Sequence, residues 1–316
     1  MKKINLLFSG LGGSLFPYLH DQLSNKYNLY YLDNDIHLIS LYSDLNFYHA
    51  PLVTESAYWD LVKKVIKENK INFYIPLIDE EIIDALNIIN GFKSVKIIAP
   101  SIKFCNLSLN KFTLMNELSS LNISTIQSYM GDKFNWEIAP PVFVKPVSGR
   151  GSRGIRRINN ASQLDAYYKL EGYSASEILI QQNITGVEYT VGVLTNNLNQ
   201  VLSISSKRII RKKGITQMAI TENNLIIDEI SRKVVSELKP CGPINIQLIL
   251  TSEKKAKIFE INPRFSTTTI MEYEGGIDLI SAYIKYYDKK YKGEILRPKK
   301  DLTLHRRWEN IFYYDK

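Results

Sequence analysis

Over the first hundred positions, apolar residues come in short runs separated by amphipathic stretches. INLLFSG, NLYYLD, NFYIPL and VKIIAP have the length of strands, whereas FPYLHDQLSNK, YWDLVKKVIKENK and EEIIDALNII repeat apolar positions at helical spacing. Strand and helix in alternation predict βαβ units and a parallel sheet, so residues 1–107 are expected to form an open α/β domain. Past Pro100 the pattern changes. NLSLNKFTLMNELSSLNIS predicts a helix that starts near Ser108 or Asn110, either of which can cap it. PPVFVKPV then predicts a strand, SGRGSRGI a glycine-rich loop, SQLDAYYKLEGY a helix and EILIQQNI another strand. The remainder is strand-rich (EYTVGVLTN, QVLSISSKRII, ITQMAIT, INIQLILT, AKIFEINP), with LIIDEISRKVVSELK as a helix among the strands. Two further units are expected, over 108–180 and 181–316, and the tail after about residue 294 shows no clear pattern.

Composition narrows the class. At 316 residues, 45% apolar and 23% charged, the chain can bury several cores and carries no low-complexity or disordered bias. Cys105 and Cys241 lie far apart without a CxxC pattern, which points away from a disulfide framework or a zinc site and toward a reducing, cytoplasmic setting. The start MKKINLLFSGLGGSLF is basic and apolar, but glycines interrupt it and no small-residue cleavage site follows, so it reads as a first strand and turn. No run approaches the roughly 20 apolar residues of a membrane span, and no membrane partner is expected.

The net charge of +8 raises the question of an anionic partner. The densest basic cluster, Lys207, Arg208, Arg211, Lys212 and Lys213, is short and lacks interleaved aromatics, so a polyphosphate or anionic substrate fits it at least as well as RNA. No nucleic-acid partner is expected. Gly10-Leu-Gly12-Gly13 follows a strand as a dinucleotide fingerprint would, and Asp33 ends the next strand. Position 15 is Leu, however, so a tight turn packing helix on sheet is the preferred reading.

Three segments carry candidate chemistry. In Lys145-Pro146-Val-Ser-Gly149-Arg-Gly151-Ser152-Arg-Gly154 the glycines let backbone amides approach phosphate oxygens, and Lys145, at the strand end, supplies fixed positive charge. In PINIQLIL and KIFEINPRF, the side chains of Glu260 and Asn262 are two apart and so share one strand face. A hairpin turn over Thr251–Lys257 brings Gln247 beside them. Carboxylate and amide oxygens suit Mg2+ shared with a nucleotide, Mn2+ being an allowed substitute. Arg264 falls on the same face, within reach of a phosphoryl group or a substrate carboxylate. The third segment, around Gln181, Gln182, Ile184 and Glu188, offers backbone groups for an adenine edge and side chains for ribose, although Glu188 reads equally as a surface strand residue.

Taken in order, Asn110-Lys111, Lys145-Pro146, GRGSRG, LIQQNITGVEYTV, NIQ and FEINPRF resemble the ATP-grasp superfamily, most of all the branch typified by the large subunit of carbamoyl-phosphate synthase. The resemblance covers residues 95 to 280 and implies an α/β and α+β ATP-grasp fold with an N-terminal pre-ATP-grasp domain, a small subdomain carrying the phosphate loop, and a C-terminal subdomain carrying the metal site. It further implies that Lys111 and Lys145 contact the ATP phosphates, Gly149 to Gly154 close over them, and Gln181 to Ile184 hold adenine with Glu188 near the ribose. Gln247, Glu260 and Asn262 would bind Mg2+, and Arg264 would stabilise an acyl phosphate.

The implied activity is an ATP-dependent carboxylate–amine ligase acting on small-molecule carboxylate and amine substrates, with a homodimer admitted. Bicarbonate or carbamoyl chemistry and a non-catalytic nucleotide-binding role are the alternatives. Asn110 stands where the family usually has Asp, Gln182 where an acid commonly binds ribose, and Phe265 to Thr269 where glycines are usual, departures that bear on substrate more than on ATP. Glu272, Tyr273 and Glu274 are candidates to border an amine site.

Overall fold

The computed structural model describes residues 3–10, 15–42, 44–149, 154–307, 310 and 312. Strands β1 (Asn5–Ser9), β2 (Asn28–Asp33), β3 (Phe47–His49), β4 (Phe73–Ile75) and β5 (Lys96–Ile97) form a parallel sheet in the order β3-β2-β1-β4-β5, the open α/β arrangement that the alternating pattern predicts. Alternate residues of β1 face opposite layers. Leu7 packs with Val62, Val65 and Ala85 of helices Ser56–Glu68 and Ile82–Ile89, while Leu6 and Phe8 share a core with Phe16 and Leu19 of helix Phe16–Leu23. Tyr273, Leu279 and Tyr283, from the far end of the chain, belong to that second core too, so the first and last parts of the molecule are packed as one.

A four-stranded antiparallel sheet follows, from β6 (Ser128–Met130), β7 (Val142–Pro146), β8 (Arg156–Ile158) and β9 (Ile178–Gln182), ordered β6-β9-β7-β8. Helix Ala161–Glu171 seals it through Leu164 and Tyr167. The third sheet has six antiparallel strands: β10 (Val187–Thr195), β11 (Val201–Lys213), β12 (Ile215–Glu222), β13 (Pro243–Leu250), β14 (Ala256–Asn262) and β15 (Thr303–His305), ordered β14-β13-β10-β11-β12-β15. Within the tail, β15 hydrogen-bonds along the edge of β12. A three-residue strand has no periodicity of its own to read.

One face of this sheet is apolar. Val191, Ile246, Leu248 and Ile258 pack against helix Leu225–Leu238 and against Leu114, Met115 and Leu118 of helix Lys111–Ser120. Asn110 caps that helix, its side chain accepting from the Thr113 amide. A preceding helix, Ile102–Ser108, capped by Ser101, adds Phe104 to the same core. These two helices thus attach to the six-stranded sheet, and the expected division at 107/108 falls inside the first of them. Among the described residues no helix is long and apolar enough to cross a membrane.

Candidate active site

The four-stranded and six-stranded sheets face each other across a cleft of about 470 Å³. Alternation along the strands of the larger sheet puts one set of side chains into its apolar core and the other set into this cleft. Register brings Glu260 opposite Gln247 and Gln247 opposite Thr190, and in the next row places Asn262 opposite Asn245. Glu260, Asn262 and Gln247 consequently share the cleft face, as their sequence spacing predicts.

Cations meet these oxygens from three directions. Lys111, at the start of its helix, donates to the Gly149 carbonyl at 2.7 Å and stands 3.8 Å from Glu260. Gly149 has φ +111, a conformation that L side chains rarely adopt. Lys145, at the end of β7, reaches across to the Phe259 carbonyl at 3.3 Å, and burial pushes its ammonium down to about 8, with Glu260 acting in the opposite direction and Lys111 and Lys212 reinforcing the fall. Lys212 descends from β11, pairs with Glu188 at 2.7 Å and donates to Gln247 Oε1 at 3.2 Å.

At the hinge between the sheets, the buried Gln181 side chain donates to Ser128 Oγ at 2.9 Å, and Gln182 and Ile184 line the cleft just beyond it. Gly154 is described and has φ +67; Gly151 and Ser152 lie outside the described residues, as do Gly12 and Gly13 of the first turn. Arg264 also lines the cleft, with its guanidinium held bidentately by Asp79 of the N-terminal unit.

Several expectations change. Glu188 is engaged by Lys212, a pairing across 24 residues that no local pattern signals. The basic cluster is not one surface: alternation along β11 turns Lys207 and Arg208 to opposite faces, and irregularities of register at Ile209/Arg211 and Arg211/Lys212 change the facing of the residues beyond them. Lys207 is buried against Glu272 at 2.5 Å, Arg208 pairs with Glu222 at 2.5 Å, Arg211 contacts His305, and Lys212 alone of these four lines the cleft. Glu272, Tyr273 and Glu274 do not border it either. Tyr273 accepts from the Ile280 amide inside the core, and Glu274 accepts from Tyr18. The wall past Arg264 is formed instead by Ser266, Thr267 and Thr268, with Ser266 Oγ and Thr268 Oγ1 2.7 Å apart.

The sequence reading missed Asp79 and the apolar lining Ile126, Phe143, Ile249 and Phe259. On a strand such apolar residues look like core, and only the paucity of other apolar partners on that sheet face could have marked them.

The donor set bears on a metal. Among the described residues, no three His, Cys, Asp or Glu converge into a dedicated cage. Glu260, Gln247 and Asn262 face the cleft together beside Lys111, Lys145 and Lys212, a combination that fits a hard cation completing its shell with phosphate oxygens.

The comparisons agree with this geometry. Residues 93–268 match the ATP-grasp domain family. A D-alanine–D-alanine ligase of Azobacteroides pseudotrichonymphae genomovar. CFP2 is 24% identical over 182 residues, which are 50% of this chain and 56% of that one, so the chain spans about half the length of this relative. Among solved structures, the fold is shared with biotin carboxylase of Campylobacter jejuni, solved as a β-γ-ATP complex (TM-score 0.75, 15% identity, 96% of this chain and 74% of that one). It is shared likewise with an L-amino acid ligase of Bacillus licheniformis (TM-score 0.69, 17% identity, 91% and 75%). With more than half of its length matched to the domain, and with the two-sheet cleft that the fold provides, the protein belongs to the ATP-grasp family.

Proposed function

We propose that this chain is an ATP-dependent ligase that joins a small-molecule carboxylate to an amine. One observation carries the reading: Lys111, Lys145 and Lys212 converge on the face that presents Gln247, Glu260 and Asn262, so sites for polyphosphate and for a divalent cation interleave in one cleft. In this reading Lys111 and Lys145 hold the ATP phosphates, with Gly149 lining the cleft beside them. Gln181, Gln182 and Ile184 receive adenine at the hinge, and Glu188 and Lys212 stand nearby as an exchangeable pair. Gln247, Glu260 and Asn262 hold Mg2+, which when bound neutralises phosphate charge.

A carboxylate oxygen of the first substrate attacks the γ-phosphorus, the bond to the bridging oxygen breaks, and ADP leaves. Arg264 places positive charge where the acyl phosphate forms. The amine nitrogen of the second substrate then attacks the acyl carbon, phosphate departs, and the nitrogen loses a proton. Positioning and charge neutralisation are the protein's contribution, as in phosphoryl transfer generally. The D-alanine–D-alanine ligase and L-amino acid ligase relatives support the choice of amino acids as first substrates to try.

The test is ADP release by the purified chain with Mg2+-ATP and pooled L- and D-amino acids, with products read by mass spectrometry. Dipeptide-like or other amide products formed together with ADP are expected. ADP release no greater than in protein-free controls across the pool would count against the ligase.

A further inference from the structure

The N-terminal unit touches the cleft through a short turn whose construction is unusually well specified. Glu81 is fully buried and accepts five hydrogen bonds: from Ser9 Oγ, from the hydroxyls of Tyr58 (2.5 Å) and Tyr74 (2.8 Å), and from the amides of Leu77 (3.1 Å) and Ile78 (3.2 Å). Its donors come from β1, β4, helix Ser56–Glu68 and the turn itself, so one carboxylate ties the turn to three elements. Buried polar networks satisfied to this degree fix a single local geometry. Gly10, at the end of β1 with φ +66, completes the seat, because a Cβ there would overlap the Ile78 side chain. Two residues before Glu81, Asp79 emerges from this frame, buried to 6% exposure, and grips Arg264 through Nε and Nη2, while Nη1 of the same guanidinium donates to the Phe265 carbonyl at 3.2 Å. Every branch of Arg264 therefore has a fixed acceptor.

We propose that Asp79 is a positioning residue for the reaction: held by the Glu81 network, it aims the Arg264 guanidinium at the phosphoryl group and makes the N-terminal unit part of the catalytic apparatus. The inference rests on the reading of Arg264 given above. A carboxylate that orients an arginine adds a geometric constraint that a freely rotating arginine lacks. Loss of such a constraint acts on the transition state and leaves nucleotide affinity largely intact.

The experiment compares Asp79→Ala, Asp79→Glu, Arg264→Ala and the double variant Asp79→Ala/Arg264→Ala in the full chain, by kcat and by KM for ATP, with Tyr58→Phe as a mild change in the supporting network. Asp79→Ala is expected to lower kcat by about 10²-fold, the loss typical of a misplaced catalytic group, with KM for ATP within about twofold. Asp79→Glu should restore part of the loss, Tyr58→Phe should show a smaller loss with the same split, and the double variant should be no worse than Arg264→Ala. A rise in KM with unchanged kcat, or losses that multiply in the double variant, would overturn the proposal. Should the wild-type chain release no ADP, the ligase reading falls by itself. The positioning claim is then decided by urea midpoints of wild type, Asp79→Ala, Arg264→Ala and the double variant: non-additive destabilisation upholds the coupling of Asp79 to Arg264, and additive destabilisation overturns it.

Discussion

Two lysine–glutamate pairs lie on the cleft side of the six-stranded sheet and have opposite characters. Lys207 and Glu272 are 2.5 Å apart with side chains 0% and 1% exposed, whereas Lys111 and Glu260 are 3.8 Å apart with 9% and 16% exposed. Glu260, Gln247, Thr190 and Lys207 occupy one cross-strand row, so the two pairs stand on the same row with two strands between them. The tight pair joins Glu272 of helix Ile270–Glu274, which follows the Ser266–Thr269 segment, to Lys207 of β11. Burial pushes the Glu272 carboxyl upward, and Lys207 opposes the shift. The loose pair is shared: Lys111 spends its shortest contact on the Gly149 carbonyl and leaves Glu260 with coordination capacity. The same two side-chain types thus form a strut where solvent is excluded and a candidate ligand site where the partners are held apart.

The comparison is most severely tested at the strut. Lys207→Met would leave Glu272 buried without its cation, and unfolding free energy should fall by about 3–5 kcal/mol. Urea denaturation measures it, and a loss near zero would dissolve the distinction between the pairs. Next comes the ligand site. Glu260→Gln should reduce Mg2+-dependent ADP release by about 10²–10³-fold, the range for losing one electrostatic contact to a developing charge, with unfolding free energy changed by no more than about 1 kcal/mol. Unchanged turnover in that variant would remove Glu260 from the metal set.

The smallest effect expected is the pH response of Lys145. Its folded pKa of about 8 lies below the ordinary 10.5, so the folded protein sheds this proton first. Between those values the unfolded chain binds more protons, and the stability of the nucleotide-free protein gains from this group as pH rises. Affinity for ATP should move the other way, weakening as pH passes 8 and the ammonium is lost. Nucleotide titrations of wild type and Lys145→Met check this, and parallel pH profiles for the two would detach Lys145 from the phosphates.

Much of the site was legible because it is local. Glu260 and Asn262 share a face by the two-residue period of a strand, and Gln247 joins them because the intervening turn is short enough to force an antiparallel pairing. The sequence offered Ser108 and Asn110 as caps for the helix start, and Asn110 is the one used. Asp79 was not, because it meets Arg264 across 185 residues and no property of either segment encodes the other. The basic cluster misled for a related reason: periodicity assumes an unbroken strand, and the irregularities in β11 reassign its faces. Glu272, a candidate in sequence to border an amine site, is instead buried with Lys207 of another element.

By itself, then, the sequence determined the parallel N-terminal sheet, the strand-rich C-terminal half and the donor groups on β14 and β13, all consequences of backbone periods that act over a few residues. Tertiary structure decided which cations reach those donors, how Arg264 is aimed and where helix Lys111–Ser120 attaches. Burial and long-range pairing set those features, and both depend on residues that are distant along the chain.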